Sequence, residues 1–391
     1  MGTRFRLLAG IAVPVLLLCL SACNNGGSSL SSGTGALFVA TQGDSSVSSF
    51  SIDLSTGLLT KSGAEVAAGS APSAMLLAPS GTALFVANSG TNNISAYTVK
   101  SDGTLAAAGG AQPTGMTPVN MAMDSGGHFL FVANQGLQID PTSGTVSVFG
   151  VSGTTLAEVP GSPFRVAAPG APGGTGPTGV AVTPDGKFLY VANQFDSTVT
   201  KFSVDGSGVL TQGPVVAVGT TPSAAAVSAD GGFLYVGNAS TISGFAICNQ
   251  VIISCNDPTS PDGSLTVVAG SPFSAGIEPV AILPAPSGKF LYVVNRQSNQ
   301  ISEYKVATGT GVLTPNNQPS IGTGATPVGG TIRAGTTTIT ATGGITTYIY
   351  VPNLGGSSVS VYSFDSTVGT LGLVGAPVTT PGGQPSAVAS E

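Results

Sequence analysis

The stretch PTGVAVTPDGKFLYVANQFDSTVTKFSV, residues 177–204, decides the reading of this chain. It opens on Pro177, runs through a short strand-like segment, turns at Pro184-Asp185-Gly186-Lys187, and enters the apolar run Leu189–Asn193. A second β-branched and aromatic run, Val199–Phe202, follows a loop. Pro suits the first residue of a strand, where no ladder donor is lost. Gly-containing turns join antiparallel neighbours. Both faces of Leu189–Asn193 are apolar, so that run must be covered on both sides.

The same phrase recurs along the whole sequence. Its copies are Leu37–Thr41, Leu84–Asn88, Leu130–Asn134, Leu189–Asn193, Leu234–Asn238, Leu291–Asn295 and Ile349–Asn353, seven in all. Pro72, Pro118, Pro177, Pro222 and Pro279 each stand sixteen residues before the Asn of their own copy. Pro327 stands further off, and the Thr/Gly-rich segment Gly335–Thr347 accounts for the excess as an extended hairpin. Weaker outer runs, Thr155–Val159, Val215–Val218 and Leu265–Val268, complete a four-strand unit. Four antiparallel strands per repeat, repeated radially, predict an all-β, seven-bladed β-propeller. The first copy lacks its Pro strand, and Pro385–Ala389 at the other end of the chain supplies it. The C-terminal strand is therefore expected to pair into the N-terminal blade and close the ring, with Glu391 beside Ser32–Gly35. Closure removes open sheet edges.

Composition agrees. The chain has 391 residues, of which only 7% are charged and 41% are hydrophobic, with 57 Gly and 27 Pro. That is the pattern of many short strands and tight turns rather than of disorder. The net charge is −6 and there is no cluster of Lys and Arg, which excludes nucleic acid as a partner.

At the N-terminus, Arg4 and Arg6 precede an apolar run, Leu7–Leu20, and then Leu20-Ser21-Ala22-Cys23. The run is short for a membrane span and of the length of a signal-peptide core. The tetrapeptide resembles the lipobox of bacterial lipoproteins, which implies residues 1–22 as signal peptide and lipidation at Cys23. Residues 23–34 read as a Gly/Ser-rich tether and 35–391 as the propeller. The expectation is an exported, monomeric protein, held to a bacterial membrane by its N-terminal lipid and facing the periplasm or the cell surface. Cys248 and Cys255 flank a short insertion, and export favours their pairing as a disulfide worth about 2.5 kcal/mol.

The Phe/Tyr-Val-Ala-Asn phrase resembles the YVTN-type repeat, and the pattern from Gly35 to Glu391 is similar to the lactonase-like seven-bladed propeller family. The enzymatic branch of that family carries an Arg-His pair after a Pro turn and a Glu after the strand-end Asn of the same blade. In the best-matching blade this chain has Thr178-Gly179 and Gln194 instead. An amide cannot act as a general base.

Other candidates are few. His128, the only His, falls in the turn Ser125–His128 and reads as solvated. Gly174–Gly179 matches a dinucleotide fingerprint by letter, but a strand follows where a helix is required. The strand-end Asn residues read as loop caps. Asn256–Gly263 lacks the ligand density of a calcium site, so no metal and no cofactor are expected. Loops at one end of the ring bring Gln135, Gln194, Asp196, Glu278 and Arg296 to its mouth, the candidate site for a small molecule, a glycan or a protein. The leading expectation is a lipid-anchored binding or scaffold module without catalysis. The alternatives are a lactone hydrolase of the 6-phosphogluconolactonase-like kind, and a surface-layer or adhesion protein.

Overall fold

The structure, a computed structural model, describes residues 33–140, 142–166, 175–249, 261–339 and 345–391. The predicted signal peptide, Cys23, Cys255 and most of the Asn256–Gly263 segment lie outside them.

Seven antiparallel sheets surround a common axis. In blade four the innermost strand is Pro177–Val182, followed outward by Phe188–Asn193, Thr198–Val204 and Leu210–Ala217. The Pro-to-Asn spacing is the register itself. Pro72 faces Asn88, Pro177 faces Asn193 and Pro279 faces Asn295 across the first two strands. Pro327 still meets Asn353 in an isolated bridge, and the added residues of blade seven lengthen two strands, Thr331–Ile339 and Ile345–Asn353.

The outermost strand is less regular than its sequence implies. In blade three it is split into Thr155–Glu158 and Phe164–Arg165, both paired with the same neighbour, Thr145–Ser152. Edge strands that bend or break in this way are poor templates for further pairing.

Closure occurs as predicted. Pro385–Ser390 lies antiparallel to the first strand, with Leu37 opposite Ser390 and Thr41 opposite Pro385. The Glu391 amide donates to the Ala36 carbonyl at 3.1 Å.

The core is divided among seven apolar clusters, one between each pair of neighbouring blades. All eight tyrosines stitch these interfaces. Tyr190, Tyr235 and Tyr292 donate to the carbonyls of Gly263, Gly311 and Gly369 in the next blade. Tyr348 and Tyr350 of the last blade reach Ser55 and Gly57 of the first. Tyr97, Tyr304 and Tyr362 reach back to Ala67, Ser274 and Gly322 of the preceding blade. The Tyr of the repeated phrase in blades four to seven thus adds a bond to a neighbouring hairpin carbonyl that the Phe of blades one to three cannot make.

Candidate functional site

The mouth is built from two backbone positions in each blade. One is the residue just before the inner-strand Pro. It has positive φ in every blade: Ala71, Thr117, Gly176, Thr221, Glu278, Thr326 and Gln384. The other is the residue just after the strand-end Asn or Thr. In six blades its amide donates to the carbonyl of the pre-proline residue, as in Gln135 to Thr117, Gln194 to Gly176 and Arg296 to Glu278. Blade five is shifted by one residue, with Ala239 bonded to Thr220.

The strand-end Asn residues hold this arrangement from below. Asn88, Asn193, Asn295 and Asn353 are fully buried and donate to Ser95, Thr200, Ser302 and Ser360 on the third strand. Their amides are committed to the adjacent strand, so the Asn ring is a structural element and not a ligand ring. The close packing leaves no room at the facing glycine. A Cβ on Gly276 would lie 2.6 Å from the Asn295 amide carbon.

The inner strands enclose a channel of about 590 Å³ that opens at this mouth. That volume falls within the range of small-molecule sites. Four of the residues expected there from sequence do line it: Gln135, Gln194, Glu278 and Arg296. Gln135 donates from Nε2 to Gln194 Oε1 at 2.8 Å, joining blade three to blade four. Arg296 donates to Glu278 Oε1, joining the two rim positions of blade six. Asp196 is not brought into the channel. Its carboxylate accepts from Thr198 Oγ1 at 2.9 Å and caps its own loop.

Sequence reading missed Asn120. It occupies the second position after Pro118, where the other six blades have Ala or Gly, and it lines the channel. That lone departure from small residues was the available signal. By contrast, Ser73 and Thr178, one position earlier, donate to the Pro118 and Pro222 carbonyls of the next blade at 2.6 and 2.8 Å.

Away from the mouth, His128 is largely exposed and sits 2.8 Å from Asp124 in its turn, as expected. Cys248 is buried, while its expected partner Cys255 is outside the described residues. Among the described residues no group of His, Cys, Asp or Glu could hold a metal, and no helix is long and apolar enough to cross a membrane.

The family model for the lactonase seven-bladed beta-propeller matches residues 67–157, 140–250, 220–328 and 263–388. No curated protein matches the sequence significantly. Among solved structures, a putative 6-phosphogluconolactonase from Bacteroides uniformis is similar at 20% identity, with 92% of this chain and 100% of that one covered and a TM-score of 0.69. The periplasmic gluconolactonase PpgL of Pseudomonas aeruginosa is similar at 22% identity, with 91% and 99% covered and a TM-score of 0.69.

These findings correct the expectation of a non-catalytic binding or scaffold module, since the family match favours the lactone hydrolase. Blade four carries no charge at Thr178-Gly179 or Gln194. The guanidinium and carboxylate lie instead in blade six, the Glu before Pro279 and the Arg after Asn295. Matched by its family model over most of its length, the chain belongs to the lactonase seven-bladed β-propeller family.

Proposed function

We propose that this protein hydrolyses lactones at the mouth of its axial channel. The Arg296–Glu278 pair, set at the rim of an open channel within a lactonase-family ring, carries the reading. Opening a lactone needs a donor for the charge that develops on the carbonyl oxygen and a base for the attacking water. The Arg296 fork supplies the donor. Glu278 gives one oxygen to Arg296, and its other oxygen has no partner among the described residues. That oxygen takes a proton from water as the water oxygen bonds to the lactone carbon. The ring C–O bond then breaks, and the leaving oxygen takes the proton back from Glu278 to yield the hydroxy acid.

The test is hydrolysis of a sugar δ-lactone by the purified protein, followed by acid release at constant pH. Turnover above the spontaneous rate that is lost in both Arg296→Ala and Glu278→Gln is expected. A rate no greater than that of buffer alone, or one unchanged in both variants, overturns the proposal.

A further inference from the structure

We propose that the channel selects an uncharged polyhydroxylated lactone and discriminates against its phosphate ester. This inference rests on the lactonase reading of the mouth.

Among the channel-lining residues Glu278 and Arg296 are the only ionised groups, and they pair with each other. A phosphate monoester carries close to two negative charges at neutral pH and is held by several charge-assisted donors. Here the single guanidinium is already neutralised by a carboxylate that would repel the phosphate. Asp44 and Asp196, on loops at the same end of the ring, add negative charge and no cation. An anion with two charges would enter a site with no net positive field.

What the channel does offer suits hydroxyl groups. A sugar hydroxyl both donates and accepts, and an amide presents both functions side by side. Three side-chain amides line the channel. Gln135 and Gln194 are held in a fixed relation by their mutual hydrogen bond. Asn120 lies on the inner strand of blade three, and its amide has no side-chain hydrogen bond among the described residues. The hydroxyls of Ser73 and Thr178 are committed as donors to the ring itself, so they do not substitute for the amides. A site that hydrogen-bonds hydroxyls rejects analogues that leave its polar groups unpaired.

The test uses a hexono-1,5-lactam, the ring-nitrogen isostere that resists hydrolysis, and the same lactam carrying a 6-phosphate. Binding of each is measured by calorimetry, and turnover of the two corresponding lactones is measured in parallel. The uncharged lactam is expected to bind tighter by about tenfold, a difference of 1.4 kcal/mol. Asn120→Ala is expected to weaken the uncharged lactam, and Glu278→Gln to narrow the gap by improving the phosphorylated one. Equal or tighter binding of the 6-phosphate, or no binding of either, overturns the inference. Selective lactam binding without lactone turnover would support the inference and sink the hydrolase reading. Turnover with a preference for the phosphorylated lactone would do the reverse.

Discussion

The hydroxyl of Tyr292 in blade six donates a 2.7 Å hydrogen bond to the carbonyl of Gly369 in blade seven. Gly369 has φ +76 and lies in a hairpin packed against Phe290 of blade six, so the bond ties two blades at a point where backbone would otherwise be buried unpaired. Tyr292→Phe is expected to destabilise by about 1–2 kcal/mol, the cost of an orphaned buried carbonyl. The shape is tolerated, since Phe38, Phe85 and Phe131 occupy the equivalent positions in blades one to three. Urea unfolding of the variant checks this, with a shift in midpoint and no change in slope.

Removing Pro385–Glu391 is expected to cost far more than any substitution within it. The segment is the inner strand of blade one and covers Leu37, Phe38 and Val39, all fully buried. Its loss exposes an open edge at the centre of the ring. The truncated protein should melt well below the full chain and associate on a sizing column. A monomer with an unchanged melting temperature would refute the closure.

Glu303 supplies a pH signature. It is fully buried, and desolvation raises its carboxyl to about 7, opposed by the Leu371 amide that it accepts from. The folded state therefore holds a proton that the unfolded chain releases near its ordinary carboxyl value. Stability from this group is highest below that value and falls as the pH rises towards 7, after which it levels off. The total loss is of order 3 kcal/mol at about 1.4 kcal/mol per unit. Glu303→Gln should be more stable than the parent at pH 8 and should lack this fall between pH 5 and 7 in chemical denaturation.

Glu278 sits at φ +61, a conformation disfavoured for any residue with a side chain. Glu278→Gly is expected to relieve roughly 1 kcal/mol of backbone strain, set against a half-exposed ion pair of small worth. A slightly raised melting temperature together with lost lactone hydrolysis would show strain retained for the sake of chemistry. A stable variant with full activity would remove Glu278 from the reaction.

Much of the fold was legible because the repeat fixes it seven times. The Pro-to-Asn interval is a hydrogen-bond register, and the tail completes the pattern missing at the head. The split outer strands were hidden, since two-residue pieces such as Phe164–Arg165 carry no periodicity. The tyrosine bonds were hidden because their acceptors are backbone carbonyls in other blades. For the site, the rim positions could be counted from the repeat, and Gln135, Gln194, Glu278 and Arg296 were found that way. Asp196 stands on a loop at that end but caps its own loop, and in sequence a loop carboxylate beside Thr198 reads the same whether it does so or faces the channel. Asn120 was passed over because only one side chain departs from an otherwise small-residue column. The non-catalytic expectation rested on the absence of the family motif's charges from blade four, and the family match over the whole ring overturns it.

The paired positions that form the rim have a consequence for how such a ring can change. Buried asparagines, inner prolines and main-chain bonds fix the geometry there, and none of these depends on what the rim side chains are. Six of the seven blades thus present a standard socket whose occupant can be exchanged with little effect on the body beneath. Chemistry at the opening is in that sense a matter of vocabulary, while the grammar stays in the backbone.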